Sequence, residues 1–172
     1  MTEILAGYWA GGGGRAAAWL LGLALAWFVL VAVRLAVIDI RTRRLPNALV
    51  LPSYPVAGIL LAAAALAAGE PGRILGAALG CAALWGGFFA LRLLSPVGMG
   101  FGDVKLAGVL GLYLGFAGPL PVLAAVVAAF VLGGLWGVGL ILSRRGTAAS
   151  TVAFGPFLLI GAALAMAAPG LQ

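Results

Sequence analysis

The stretch GMGFGDVKLAG, Gly98 to Gly108, interrupts a chain that is otherwise close to pure hydrocarbon. It sets one carboxylate, Asp103, and one ammonium, Lys105, among glycines, and an apolar run follows it. The chain has 172 residues, is 65% hydrophobic and only 8% charged, against roughly a quarter charged in soluble domains. A soluble protein this small has too little interior to hide that much apolar surface. The stretch therefore reads as the edge of a membrane span, and the chain as an all-α integral membrane protein. A bilayer tolerates only helices or closed barrels. No segment here alternates with the period of a barrel strand.

A spanning helix needs about 20 apolar residues. Six segments fit: Ala16–Ile38, Ala48–Ala68, Ile74–Leu94, Val104–Gly118, Val122–Leu142 and Thr151–Ala168. The fourth is short and ends at Pro119 and Pro121. Pro46, Pro52 and Pro55 are expected to end or bend helices. Residues 1–15 read as an external N-terminal segment with a flexible Gly11–Gly14 linker, and 16–172 as one six-helix transmembrane domain. The first span is not a cleavable signal peptide, because its apolar stretch is too long and no basic head precedes it. Gly76/Gly80, Gly111/Gly115 and Gly133/Gly137 have the small-xxx-small spacing of close helix contacts.

Basic residues orient the spans. Arg34, Arg41, Arg43, Arg44, Arg92, Lys105, Arg144 and Arg145 fall in or beside the loops after spans 1, 3 and 5, and only Arg15 and Arg73 lie opposite. The first set is placed in the cytoplasm, with both termini external and the protein multi-pass in the plasma (inner) membrane. The positive charge then serves orientation and contact with anionic membrane lipids. Charges split among short loops do not make a nucleic-acid surface.

The chain has no histidine, and its one cysteine, Cys81, lies inside an apolar run. Imidazole-activated nucleophiles, cysteine–zinc cages and internal disulfides are excluded, and no metal or cofactor is expected. The acids are Glu3, Asp39, Glu70 and Asp103. The orientation set by the arginines puts Asp39 and Asp103 on one side and Glu3 and Glu70 on the other. Two close carboxylates repel, so their titrations split and they share a proton over a wide pH range. One can take a proton from water while the protonated partner polarises a carbonyl, which is aspartyl peptide hydrolysis. Gly98, Gly100 and Gly102 then give a non-helical approach that another backbone can reach. Asp103 sits where a helix N-terminus favours the anion, and Asp39 where a C-terminal end favours the shared proton. Gly102→Val is expected to lose cleavage, and Gly108→Ala to be much milder. Taken singly, Asp103 also reads as a helix cap, Asp39 as a salt-bridge partner of Arg41, Arg43 or Arg44, and Lys105 as a snorkelling anchor.

VIDIRTRRLPN, Val37 to Asn47, together with GMGFGDVKLAG, resembles the two signature segments of the type IV prepilin peptidases, the GxGD-type intramembrane aspartyl proteases. The separation of Asp39 from Asp103 is similar to that family, as is TVAFGPFLLIG, Thr151 to Gly161. The resemblance covers about residues 36–161. It implies the GxGD aspartyl protease fold, with Asp39 and Asp103 as the catalytic pair and Gly100 and Gly102 shaping the motif around Asp103. Lys105, Leu45, Pro46, Asn47, Phe154, Gly155 and Pro156 match recurrent positions with support roles. The implied activity removes a short basic cytoplasmic leader from prepilin-like precursors: Flp pilins, pseudopilins or archaellin-like subunits. Larger members carry an added N-terminal region with paired cysteines and also methylate the new N-terminus. That region is missing from these residues, so the resemblance is to the short peptidase-only forms and N-methyl transfer is not expected. The alternative is a small proton-coupled transporter using Asp39 and Asp103 as carriers. The acids near one face and the lack of an inverted repeat speak against it. The oligomeric state is not legible in the sequence.

Overall fold

The structure is a computed structural model describing residues 1–12, 14–42, 44–94, 99–143 and 153–171. Gly13 of the expected linker, Arg43, Gly98, Arg144, Arg145 and Thr151 lie outside the described residues, as does Gln172. Among the described residues seven α-helices follow in order: α1 Thr2–Gly7, α2 Gly14–Thr42, α3 Asn47–Ala67, α4 Gly72–Leu94, α5 Phe101–Ala117, α6 Pro119–Leu142 and α7 Gly155–Ala167. No strand occurs among the described residues. The six expected spans correspond to α2–α7.

Helices α2, α3, α4 and α6 are long and apolar enough to cross a bilayer. The 17 residues of α5 and 13 of α7 make about 26 and about 20 Å of helix at 1.5 Å per residue. Both are short against the roughly 30 Å hydrocarbon layer. Helix α5 is buried along almost every face from Asp103 to Ala117 and packs against α3, α4, α6 and α7. A helix apolar all round belongs in the centre of a bundle. Gly118, at φ 138°, breaks the chain between α5 and α6, and Pro119 opens α6, where its missing N–H costs nothing. Pro52 and Pro55 do not end α3, which runs through both; Pro46 is its N-cap.

Glycines set how closely α4 and α5 cross. A Cβ at Gly76 would stand 2.6 Å from the Gly115 carbonyl oxygen, and one at Gly80 2.7 Å from Gly115 Cα. The Gly76/Gly80 and Gly111/Gly115 pairs therefore face each other, as their spacing predicts. Gly133 instead receives the Phe154 ring, and a Cβ at Gly137 would meet nothing within 4 Å. The small residues that pair α6 with α7 are Ala125, Ala129 and Gly161. Gly111→Val is expected to pry α4 from α5 and lower the melting temperature in detergent, since overpacking costs typically about 1–3 kcal/mol. Gly137→Ala should melt like the parent. An unchanged Gly111→Val would contradict the close crossing.

The N-terminal segment is not a free linker. Helix α1 leads into a π-helical turn, Tyr8–Gly12, that kinks at Gly11 with φ 108°. Met1, Ile4 and Tyr8 are buried. The Met1 amine donates to the Met166 carbonyl (2.9 Å) and the Tyr8 hydroxyl to Glu70 (3.0 Å). Arg73 pairs with Glu70 and donates to the Phe116 carbonyl (3.2 Å). The guanidinium holds the Glu70 carboxyl below the usual carboxylate range. These ties close the end of the bundle away from the two aspartates.

Candidate functional site

The inward stripe of α2 runs Leu21, Ala24, Phe28, Val31, Leu35, Asp39, at the three- and four-residue steps of a buried helix face. Asp39 continues that stripe by one turn. The periodicity that buries the leucines therefore buries the carboxylate, which is 4% exposed. Arg41 and Arg44 lie on exposed surface, and the salt bridge weighed for Asp39 does not form with either. Among the described residues the one ion pair is Arg73–Glu70.

Asp103 is the third residue of α5 and 8% exposed. Its Oδ2 accepts the Gly100 N–H at 3.2 Å, while its own N–H donates to the Gly100 carbonyl at 3.1 Å. This is the acidic half of a capping box, since Gly100 has no side chain to complete it. The cap reading of Asp103 thus holds together with its place in the site. Gly100 has φ −70° and ψ 146°, open to any residue, and Gly102 is already helical. Neither glycine serves a left-handed backbone. What they provide is room: a Cβ on Gly102 would stand 2.8 Å from Leu45 Cβ, and one on Gly100 3.3 Å from Asp103 Oδ2.

The start of α7 meets the end of α2. A Cβ on Gly155 would lie 2.5 Å from Asp39 Oδ2 and 3.5 Å from Leu45 Cδ1. The Gly155 N–H is directed toward the Asp39 carboxylate, yet Oδ2 finds no hydrogen-bond partner among the described residues. The positive end of α7 thus faces Asp39 and opposes the C-terminal field of its own helix. The sequence reading, which assigned the shared proton to Asp39 from α2 alone, lacked this contribution. Phe154 fixes the approach, packing on Phe130 (5.2 Å between centroids), Phe88 and Phe157, with Gly133 as its recess. Pro156, in the first turn of α7, lacks an N–H where none is needed.

Helix α3 supplies the third side. Pro46 caps it, its carbonyl accepting the Leu49 and Val50 N–H groups. Asn47 Oδ1 accepts from Lys105 Nζ at 3.0 Å, and the Tyr54 hydroxyl donates to the Lys105 carbonyl at 2.7 Å. Lys105 thus ties α5 to α3 beside Asp103, which goes beyond the anchor reading. Arg92 donates to the Met99 carbonyl at 2.8 Å, and both Arg92 and Lys105 lie over the Phe101 ring. Tyr54 and Arg92 were not singled out from the sequence as positioning the pair, and Leu45 entered only as part of the Leu45-Pro46-Asn47 segment. Arg92 was read only as an orienting charge, and Tyr54 carried a signal of its own, a hydroxyl inside an apolar run. It also corrects the expectation for Gly108. A Cβ there would collide with the Tyr54 hydroxyl and crowd Trp85 Cδ1 at 3.2 Å, so Gly108→Ala disturbs the Lys105 anchor and is not mild.

The candidate residues that the structure describes therefore gather at one end of the bundle, with Gly155 against Asp39, Gly100 against Asp103, and Leu45 between Gly102 and Gly155. Leu45 bridges the two carboxylate segments, its side chain against Gly102, which precedes Asp103, and against Gly155, which lies on Asp39. Chemically this is a carboxylate pair in a mostly apolar setting, and no group of three metal-ligating side chains occurs among the described residues.

The family model described as the type IV leader peptidase family matches residues 23–138. A prepilin leader peptidase/N-methyltransferase from Aeromonas salmonicida is 35% identical over 150 residues, which cover 86% of this chain and 48% of the relative. One from Burkholderia pseudomallei is 38% identical over 148 residues, 83% and 46% of the two chains. One from Pectobacterium carotovorum is 35% identical over 160 residues, 90% and 55%. The chain spans about half the length of the curated relatives it matches. No solved structure gives a significant match.

Proposed function

The chain belongs to the type IV leader peptidase family, and on that premise we propose that it is an aspartyl endopeptidase that removes the basic leader from prepilin-like precursors. The observation that supports the reading is the placement of Asp39 and Asp103, from two distant segments, both buried at the same end of the bundle. Flp-type pilins, pseudopilins and archaellin-like subunits are the proposed substrates. Only the peptidase half of the relatives' name is carried to these residues.

The reaction needs one carboxylate ionised and one protonated, a state that close carboxylates favour because both cannot readily ionise together. The ionised carboxylate takes a proton from water, and the water oxygen bonds to the scissile carbonyl carbon. The protonated carboxyl gives its proton to the carbonyl oxygen. Collapse of the resulting gem-diol breaks the C–N bond. The amine leaves with a proton from one carboxyl, while a diol hydroxyl returns its proton to the other. The pair ends with one proton, as it began. Gly155 and Gly102 hold the backbone of α7 and α5 close to the carboxylates, and Lys105–Asn47 holds α5 to α3. The Gly100 N–H holds the Asp103 carboxyl from the start of α5, and Gly155 at the start of α7 lies against the Asp39 carboxyl.

Co-expression with candidate precursors, read by mass spectrometry of their N-termini, tests the reading. The expected result is loss of the leader at one bond with no added methyl group. Intact precursors in every pairing would overturn the peptidase, and a methylated product would overturn the peptidase-only form. Orientation is proposed from the arginines, with the site cytoplasmic and both termini external in the inner membrane. Reporters fused after Arg44 and at Gln172 are expected to read cytoplasmic and external respectively, and two like readings would break that topology.

A further inference from the structure

Both carboxylates are covered, at 4% and 8% exposure, yet hydrolysis requires them to meet a peptide carbonyl and a water. Leu45 lies against the glycines that adjoin both carboxylates. Its Cβ is 2.8 Å from the Cβ position of Gly102, and its Cδ1 is 3.5 Å from that of Gly155, which is itself 2.5 Å from Asp39 Oδ2. The side chain thus fills a slot between the first turns of α5 and α7, walled by two residues without side chains, beside an unpartnered carboxylate oxygen. Leu45 is half-buried in the non-helical link between α2 and α3. No hydrogen bond joins its backbone to another described residue. Among the described residues, van der Waals contact alone holds it in the slot.

We propose that this slot is a substrate subsite for an aliphatic side chain next to the scissile bond, that Leu45 occupies it when no substrate is bound, and that Leu45 leaves as the precursor enters. The inference rests on the peptidase reading. A slot that accepts a leucine from its own chain accepts one from a substrate by the same contacts, so the incoming side chain offsets the loss of Leu45 packing. Glycines at 102 and 155 leave the depth of the slot free, and with it the size of side chain admitted.

The test uses the full chain with Cys81→Ala, Asp103→Asn and Leu45→Cys, which binds precursor without cutting it. Its reaction with a water-soluble maleimide is timed with and without precursor, and binding is checked by co-purification. Bound precursor is expected to speed labelling several-fold. An unchanged or slower rate means that Leu45 stays in place and overturns the inference. Leu45→Ala with both aspartates intact gives a second reading that does not depend on the cysteine variant folding. It should cleave with a higher kcat/KM and accept flanking side chains larger than leucine. A Leu45→Ala protein that melts like its parent but cleaves no better, with unchanged preference, makes Leu45 a fixed wall and overturns the inference. Parent cleavage is measured alongside. A parent that cuts while Leu45 does not respond removes only the subsite, whereas a parent that never cuts removes the peptidase reading and the subsite with it.

Discussion

Asp39→Asn and Asp103→Asn are each expected to lose leader cleavage by at least about 10²-fold while the protein inserts and melts normally, since positioned acid–base groups contribute typically 10²–10⁴-fold. Asparagine keeps the shape of aspartate but neither takes nor delivers the proton. At Asp39 the substitution removes a buried charge whose Oδ2 has no partner among the described residues, so stability should hold or rise. At Asp103 the amide oxygen still accepts the Gly100 N–H that now reaches Oδ2, so the first turn of α5 should survive. Cleavage rate and melting temperature in detergent, measured on the same preparations, separate chemistry from folding. Full activity in either variant removes that residue from the mechanism. Loss of stability together with activity makes it structural.

Gly155→Ala is expected to rank next. Its new methyl would lie 2.5 Å from Asp39 Oδ2 and 3.3 Å from Cγ, so either α7 retreats or the carboxylate turns. Misplacement by about 1 Å can cost about 10²-fold in rate, and a loss of that order is expected with only a modest fall in melting temperature. Gly102→Val should lose cleavage too, since a Cβ there would already stand 2.8 Å from Leu45 Cβ. Gly100→Ala is the internal comparison. Its backbone suits alanine and its nearest contact is 3.3 Å from Asp103 Oδ2, so its loss should be far smaller. Equal losses at Gly100 and Gly155 would contradict the close-approach argument.

The carboxylate pair was legible because charge is scarce in this chain. With four acids and a cation asymmetry to set orientation, Asp39 and Asp103 fall together on one side and Glu3 and Glu70 on the other. The burial of Asp39 was legible too, in its register with Leu35 and Val31. What faces a residue from a distant segment is harder to read. Spacing marked Gly76/Gly80 and Gly111/Gly115 as contact faces, and they pair; the same spacing at Gly133/Gly137 hid a recess for Phe154. The role of Gly155 depends on where α7 begins relative to the end of α2, which no local pattern encodes. Gly108 looked neutral because Tyr54, which fills the space it leaves, lies on another helix. The run at Gly11–Gly14 looked like a free linker because glycine composition signals freedom, while the anchors of that segment, Met1, Ile4 and Tyr8, act through partners far along the chain.

The central claim is that this chain, through Asp39 and Asp103, cuts the leader from a prepilin-like precursor without metal or thiol. Its most direct test is purified protein in lipid vesicles with one purified precursor, a metal chelator and a thiol-blocking reagent present, with the product N-terminus read by mass spectrometry. The expected result is a single cut that releases the basic leader, and none from the Asp39→Asn/Asp103→Asn double variant. A precursor left whole by the parent, or cut equally by the double variant, would contradict the account.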